Sequence, residues 1–480
     1  MLLNKLFKNA PEIDIKQLSA DSRVPMKDAI FFCVQGFKYD GHEYIEEAIK
    51  NGAVVIVYEK PLPNKLNAIY IRVQNVDDCI KKIAPRFYGH PEKNLESYLV
   101  CGCYGRSSVT SFINYYLNKS KSCGYIGRFG IKYADTELYS AYPTLTSLEN
   151  IKHINNMNQY GVKAITLEAS ASSLSYNKLN IINPSVFIYT NTYKECPDYK
   201  EYNLDYFDDI RHYLYSLEER SVIILNKDDI SYNELKDVDH KIVSYGTNKD
   251  SKYRIRNIFL GKNSSKFDIE TDDFTITVPT NLLGVSSVYN LTAAIVSLIE
   301  KGYNPLDLAN SFVKVPYIDG VMESIDDDYH IIVDCADSIE SINELLQFAR
   351  FVSKNNKVIG VLGISATDDK NRLKNMIEAA EKYLDIIYLT EENTYESDIN
   401  KLLSKAAIYQ KENKTIKVES RNIAIESAIE VLNKEDVLVL IGMGNDKIMI
   451  KGLGKQTYFG DKEYAKYYLN KRRKEENEVI

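Results

Sequence analysis

The chain has 480 residues, too many for one ordinary domain, and this length predicts about two to four domains. Its 44% hydrophobic and 26% charged residues are typical of a globular protein, and its net charge of −7 argues against a nucleic-acid or anionic-membrane partner. Because the apolar runs are shorter than the ~18 residues of a membrane span and the first residues lack the pattern of a secretory leader, we expect a cytoplasmic protein.

The first region, residues 1–93, alternates apolar runs with a helical pattern. The runs 29–34 and 53–58 are predicted to be buried strands. Residues 42–51 between them are predicted to form a helix that ends at a glycine. This order of elements indicates a small α/β domain, followed by a linker at 91–95.

Residues 98–108, Tyr-Leu-Val-Cys-Gly-Cys-Tyr-Gly-Arg-Ser-Ser, have the layout of a phosphate-binding loop. An apolar strand runs into Gly102, Gly105 follows, and a helix is predicted from Val109 to Asn118. Glycines let backbone N–H groups surround a polyphosphate, and the helix N-terminus adds its positive dipole end. In an active loop of this type a lysine reaches the phosphates and a hydroxyl holds Mg²⁺.

The cationic position of this loop is occupied by Arg106 instead of lysine. The hydroxyls of Ser107 and Ser108 are present, so the loop keeps its candidate metal ligand but lacks the ammonium. A planar guanidinium does not replace a compact point charge in a tight phosphate cradle. The function of the chain depends on whether this loop still works.

The rest of the central region, 94–315, predicts a parallel sheet. Three apolar runs end in polar residues, which suits an α/β sheet with its site at the carboxyl ends of the strands. The three runs are Ala164–Glu168, Ser185–Thr190 and Ser221–Asn226. A β-rich insertion is predicted over 253–278 and an amphipathic helix over 288–300.

The last region, 316–480, repeats the alternation of strands and helices. Its predicted strands are 330–334, 358–362, 385–389 and 437–441. Helical stretches separate them, which predicts a third α/β domain.

Taken in order, these motifs resemble the Mur ligase family over nearly the whole length. Residues Gly102 to Ser108 stand where that family has Gly-Thr-Asn-Gly-Lys-Thr. The other matching motifs are Asp21-Ser-Arg23, Asp40-Gly-His42, Tyr289-Asn290, Asp319-Gly-Val-Met-Glu323 and Phe459-Gly-Asp461. The resemblance implies a three-domain α/β architecture: a UDP-precursor-binding domain (1–93), a central phosphate-loop domain with a parallel sheet (94–315) and a Rossmann-like ligase domain (316–480).

The resemblance also implies roles for individual residues. Substrate contacts fall on Ser22, Arg23 and His42, of which Ser22 and His42 have a second interpretation as capping or turn residues. ATP contacts fall on Gly102, Gly105, Arg106, Ser107, Ser108 and Asn290. Mg²⁺ ligands fall on Ser107 and Glu168, and catalytic roles on Arg106, Glu168 and Asp337.

Departures from the family pattern fall on residues that handle charge. Arg106 replaces the loop lysine, and Arg211 stands at the lysine that the family carbamylates to make a metal ligand. An always-charged guanidinium cannot supply the neutral amine that carbamylation needs. In the third region Asp337 replaces a histidine, and Tyr395 replaces the arginine that grips diaminopimelate.

Three functions follow from these observations. The first is a Mur-ligase homologue with impaired or absent catalysis (a pseudoenzyme), which binds a UDP-linked wall precursor or other wall-synthesis proteins. The second is an active ligase that uses ATP and Mg²⁺ to join an amino acid to a UDP-muramoyl peptide or a related acceptor, with altered specificity. The third is a sensor that binds ATP without chemistry.

Overall fold

Strands and helices alternate along the chain in the computed structural model, which describes residues 1–36, 39–62, 66–139, 144–175, 178–192, 206–326 and 328–478. The strands of the first half are β1 (Gln17–Ser19), β2 (Ala29–Phe32), β3 (Ala53–Tyr58), β4 (Ile69–Arg72), β5 (Glu96–Cys101), β6 (Cys123–Gly127), β7 (Gly130–Tyr133), β8 (Thr136–Leu138), β9 (Ala164–Glu168), β10 (Val186–Tyr189), β11 (Val222–Asn226) and β12 (Lys241–Gly246). Those of the second half are β13 (Tyr253–Leu260), β14 (Ser265–Glu270), β15 (Thr275–Thr280), β16 (Glu323–Ser324), β17 (His330–Asp334), β18 (Val358–Ile364), β19 (Ile386–Glu391), β20 (Thr415–Lys417), β21 (Val437–Ile441), β22 (Ile448–Lys451) and β23 (Gly454–Thr457).

Fifteen α-helices are described, with 3₁₀ turns at Gly41–Tyr44 and Pro91–Asn94. The helices are α1 (Leu3–Leu6), α2 (Ile45–Lys50), α3 (Val76–Tyr88), α4 (Arg106–Leu117), α5 (Ser147–Gln159), α6 (Ala171–Ser175), α7 (Tyr206–Tyr215), α8 (Ser231–Leu235), α9 (Gly284–Ile299), α10 (Pro305–Ser311), α11 (Ile339–Ser353), α12 (Lys370–Tyr383), α13 (Ile399–Ala407), α14 (Arg421–Val431) and α15 (Asp461–Glu478). Within the described ranges, no helix has the length and apolarity needed to span a membrane.

The predicted strands are confirmed, whereas three predicted helix starts are displaced. Helix α4 begins at Arg106 rather than Val109, because Gly105 takes a left-handed φ of +82° and the helix follows the loop directly. Helix α9 begins at Gly284, four residues before its predicted start. The helix predicted over 42–51 opens as a 3₁₀ turn, in which the Asp40 side chain accepts a hydrogen bond from the His42 N–H.

The described residues fall into two compact units, those within 1–192 and 206–244 and those within 245–478. This division does not test the predicted domain boundaries at 93/94 and 315/316, which stay predictions. The first unit holds a parallel four-stranded sheet in the order β1-β2-β3-β4, whose strand β2 is wholly buried.

The larger sheet of the first unit brings the phosphate-loop motif beside two other strand ends. Strand β5 lies between β9 and β10, and all three run parallel. Each of the three is almost entirely buried, as expected for central parallel strands. Their carboxyl ends therefore meet at one edge, which places the loop next to Glu168 and Asn191.

The second unit contains a sheet with helices on both faces and a Rossmann-like strand order. The strand order is β16-β17-β21-β18-β19-β20, and all neighbours except β16 and β17 run parallel. Helices α11, α12 and α13 pack on one face, and α14 and α15 pack on the other. An antiparallel meander of β13, β14 and β15 matches the predicted β-rich insertion.

Helices α14 and α15 are joined by a fully buried ion pair. Arg421 and Asp461 both have side chains with 0% exposure. The Asp461 carboxylate accepts from Arg421 Nε at 2.8 Å and from Nη2 at 2.6 Å, and it also accepts from the Tyr458 hydroxyl at 2.6 Å. Loss of one partner would leave a buried charge without compensation.

We therefore expect Asp461→Asn to lower the free energy of unfolding by about 3 kcal/mol, measured by chemical denaturation. The matched control is Glu426→Gln, which removes only the solvent-exposed pair with Lys471 and should leave stability close to that of the parent. Equal stability of both variants would contradict the role of the buried pair.

A second stability prediction concerns Asp334 at the end of β17. Burial, together with the charges of Glu344 and Asp337, raises the pKa of Asp334 to about 7, although the Met322 N–H donates to it at 2.6 Å. In the unfolded chain an aspartate titrates near pH 3.9. Ionisation is therefore harder in the folded protein, and this group makes the free energy of unfolding fall as the pH rises from about 4 to 7.

Asp334→Asn removes that titration. In the parent, this titration should lower the free energy of unfolding by about 2–3 kcal/mol between pH 5 and pH 8. The variant should lack this contribution. Denaturation at a series of pH values measures this difference. Identical pH profiles for the two proteins would rule out Asp334 as the titrating group.

Candidate functional site

The loop between β5 and α4 depends on two glycines with left-handed backbone angles. Gly102 has a φ of +131° and Gly105 a φ of +82°. A Cβ at Gly102 would lie 2.1 Å from Thr190 Oγ1, so this position excludes any side chain. The backbone thus curves at this position, and its use as a phosphate cradle stays a prediction.

Residues at the end of β10 hold this loop in place. The Asn191 carbonyl accepts from the Cys103 N–H at 2.9 Å, and its side-chain Oδ1 accepts from the Tyr104 N–H at 3.0 Å. Thr190 Oγ1 donates to the Tyr104 carbonyl at 2.7 Å. Sequence reasoning did not assign Thr190 and Asn191 to the site, although polar residues at the end of a strand beside β5 were a usable signal.

The side chain of Arg106 turns back onto its own loop. The side-chain Nη1 donates to the carbonyl oxygen of Gly102. The backbone carbonyl of Arg106 accepts from Thr110 Oγ1 at 2.5 Å. The Arg106 guanidinium is thus hydrogen-bonded to the backbone of the loop that it follows. The predicted contact of Arg106 with a phosphate stays a prediction.

Glu168 ends β9 and is the buried carboxylate of the site, with 3% exposure. Its Oε2 accepts from Ser107 Oγ at 3.0 Å. Its Oε1 accepts from the Tyr125 hydroxyl and, at 3.1 Å, from the Arg128 N–H. The fold therefore unites Ser107 and Glu168, the two predicted metal ligands, and adds two donors from β6 and the turn that follows it.

Tyr125 was not predicted to belong to the site, because a tyrosine inside an apolar strand has the pattern of a core residue. Its side chain is 4% exposed. Burial and the neighbouring Glu168 charge raise the pKa of Tyr125, which keeps its hydroxyl protonated. Gly127 makes this contact possible, since a Cβ there would lie 2.4 Å from Glu168 Oε1.

Arg211, at the position of the carbamylated lysine, lies on α7. Its guanidinium pairs with Asp208 and with Glu234, the latter at 3.3 Å. These hydrogen bonds and charges raise the pKa of Arg211. Residues 193–205, which precede α7 in the chain, lie outside the described residues.

The three predicted substrate residues of the first region have protein partners. Ser22 donates to Glu47, and Arg23 pairs with Asp21 at 2.7 Å. His42 faces Asp40 through Nδ1 at 2.6 Å, and its Nε2 accepts from two backbone N–H groups, of Glu59 and Lys60. Only Arg23 has a largely exposed side chain, at 81%. The substrate roles of all three stay predictions.

The remaining predicted residues lie in the second unit. Asn290 is buried on α9, next to Tyr289, whose ring lies 6.4 Å from that of Tyr245. Asp337 is exposed, and its carbonyl accepts from Arg372. Tyr395, which replaces the gripping arginine, has a φ of +48° and pairs through its backbone with Ile450.

The loop geometry gives a prediction for Gly102. Gly102→Ala combines a positive φ with a steric clash, so we expect it to lower the free energy of unfolding by about 3 kcal/mol. The matched control is Gly161→Ala, which has a φ of +75° but nothing within 4 Å of the added Cβ, and should cost about 1 kcal/mol. Chemical denaturation compares the two, and equal losses would show that the loop does not press on β10.

Three family models match the chain. They are the Mur ligase family catalytic domain (residues 14–88), the Mur ligase middle domain (100–298) and the Mur ligase glutamate ligase domain (321–444). Among curated relatives, the chain is 30% identical over 452 residues to UDP-N-acetylmuramyl-tripeptide synthetase 2 of Oceanobacillus iheyensis, covering 91% of this chain and 90% of the relative. It is 28% identical to the UDP-N-acetylmuramoyl-L-alanyl-D-glutamate–2,6-diaminopimelate ligase of Geobacillus thermodenitrificans, covering 96% of each.

Solved structures show the same architecture. A UDP-N-acetylmuramoyl-L-alanyl-D-glutamate–2,6-diaminopimelate ligase superposes with a TM-score of 0.74 at 18% identity, over 98% of this chain and 99% of its own. The MurF ligase of Thermotoga maritima, solved in complex with ADP, gives a TM-score of 0.64 at 16% identity, over 96% and 98%. The predicted fold class is confirmed, and the chain belongs to the Mur ligase family, with its three-domain α/β fold and a central, mostly parallel sheet.

Proposed function

We propose that this protein is a Mur-ligase homologue of the peptidoglycan-precursor type whose ligase chemistry is impaired or absent and which acts by binding. One observation carries the proposal. The only cation that the loop itself supplies, Arg106, donates to the carbonyl of Gly102. Phosphoryl transfer depends almost wholly on positioning and on neutralising charge, so a guanidinium held by the backbone removes the main contribution of the loop.

The size of this effect supports impaired catalysis. Loss of one dedicated charge contact at such a centre costs on the order of 3 kcal/mol, about a hundredfold in rate. Arg211 adds a second loss, because its charge is already compensated by Asp208 and Glu234. A guanidinium in this position cannot become the carbamate that would hold a metal.

The proposed ligand is a UDP-linked wall precursor. The two curated relatives named above carry UDP-muramoyl peptides in their names, and both align with this chain over at least nine-tenths of its length. In the first region, Arg23 offers an exposed guanidinium for such a ligand, while Ser22 and His42 support the turn through their protein partners. Other wall-synthesis proteins of the cytoplasm are the proposed macromolecular partners.

A second candidate, an active ligase of altered specificity, is favoured by the preserved loop backbone. Gly102 and Gly105 keep their left-handed angles, and Ser107 stays within 3.0 Å of Glu168. In that case ATP would be held by the loop and by Asn290. Asp337, or Asp369 at the N-cap of α12, would then orient the attacking amine.

An ADP-release assay separates the two candidates. The purified full-length protein is given ATP, Mg²⁺, UDP-muramoyl dipeptide and a panel of amino acids, with the Oceanobacillus iheyensis relative as a positive control. We expect no ADP release above the protein-free blank, because the charge contacts of the transition state are missing. In parallel, thermal-shift titration with the UDP-muramoyl peptide should raise the melting temperature, because the ligand binds the native state.

ADP release that depends on an amino acid and disappears in Glu168→Gln would overturn the proposal in favour of the active ligase. A thermal shift with ATP but not with the UDP-muramoyl peptide, without ADP release, would favour a nucleotide sensor.

A further inference from the structure

The carboxylate of Glu168 is occupied by protein donors on both of its oxygens. Ser107 Oγ donates to Oε2, whereas the Tyr125 hydroxyl and the Arg128 N–H both donate to Oε1. An ionised carboxylate has about four acceptor positions, so three are in use. The group is 3% exposed, which leaves little access for a ligand from solvent.

Tyr125 is fixed in this contact from several sides. Its ring stacks on Phe129, with 6.3 Å between ring centroids and 25° between the planes. The Phe129 N–H in turn donates to the Tyr125 oxygen at 3.4 Å. Gly127 leaves space for both partners, because a Cβ there would also lie 2.6 Å from the Tyr125 hydroxyl. The tyrosine therefore cannot swing away without breaking packed contacts.

These residues do not fit a Mg²⁺ site. Mg²⁺ demands near-ideal octahedral geometry. At Oε1, where the Tyr125 hydroxyl and the Arg128 N–H take both acceptor positions, the ion would have to displace a donor, and at Oε2 it would share the oxygen with the Ser107 hydroxyl. Displacement would leave a buried hydroxyl without a partner.

We propose that the Tyr125 hydroxyl prevents divalent metal ions from binding to Glu168. The carboxylate then holds the loop in place through Ser107 instead of binding a cation. The inference rests on the proposed function, because it concerns the same loop, and it names the residue that keeps the metal out. Tyr125 acts here as a specificity-determining residue, and its effect is exerted wholly through Glu168.

Direct binding of Mn²⁺, followed by electron paramagnetic resonance of the free ion, tests this proposal without any turnover. The parent protein should show no saturable site below millimolar Mn²⁺. Tyr125→Phe keeps the ring and removes the hydroxyl, so it should create one site at least about tenfold tighter than any site in the parent. Adding Glu168→Gln to that variant should abolish the new site.

The matched control is Tyr213→Phe, which removes a buried tyrosine hydroxyl that donates to the Ile182 carbonyl rather than to a carboxylate. It should bind Mn²⁺ as weakly as the parent. If Tyr125→Phe is unstable, Tyr125→Leu provides a second variant without the hydroxyl. A Glu168-dependent Mn²⁺ site in the parent, or no gain in either Tyr125 variant, overturns the inference. Because ADP release is measured separately, failure here is distinguishable from failure of the proposed function.

Discussion

A buried carboxylate needs hydrogen-bond donors around it, and this requirement determines the arrangement of residues around Glu168. Charged groups taken out of water cost several kcal/mol unless hydrogen bonds replace the lost hydration. Ser107, Tyr125 and the Arg128 backbone supply these bonds from the start of α4, from β6 and from the turn after β6. They can do so because β9 lies between β5 and β6 in a parallel sheet. The same carboxylate is the predicted Mg²⁺ ligand, and here it accepts hydrogen bonds from three protein donors.

The two arginines that stand at lysine positions of the family have acceptors within the protein. Arg106 donates to the loop backbone, and Arg211 pairs with two carboxylates on the surface of its unit. A guanidinium offers five donors in a rigid fork and is always charged, so it tends to be fixed by nearby oxygens. A lysine ammonium on a flexible stem is easier to redirect to a phosphate. This difference between the two side chains is the physical basis of the proposed binding role.

The family fold is independent of these changes in charge. Buried apolar strands such as β5, β18 and β21 supply the cores, and the Arg421–Asp461 pair lies between helices far along the chain from the loop. Chemistry in such folds resides in a few residues at strand ends, whereas stability is spread over many apolar contacts. A chain can thus lose its charge-handling residues and keep its architecture.

The amino-acid sequence by itself determined the order of strands along the chain, the glycine-containing loop after β5 and the family, since apolar runs, glycines and motif order are local patterns. It also located Ser107 and Glu168, because polar residues that follow buried strands point to one edge of a parallel sheet. Only the tertiary structure decided how these residues are used. Tyr125 and Glu168 are 43 residues apart and meet through strand pairing, and the loop motif does not specify that the Arg106 side chain donates to the Gly102 carbonyl. Such contacts depend on the distances between packed elements, which local patterns do not contain.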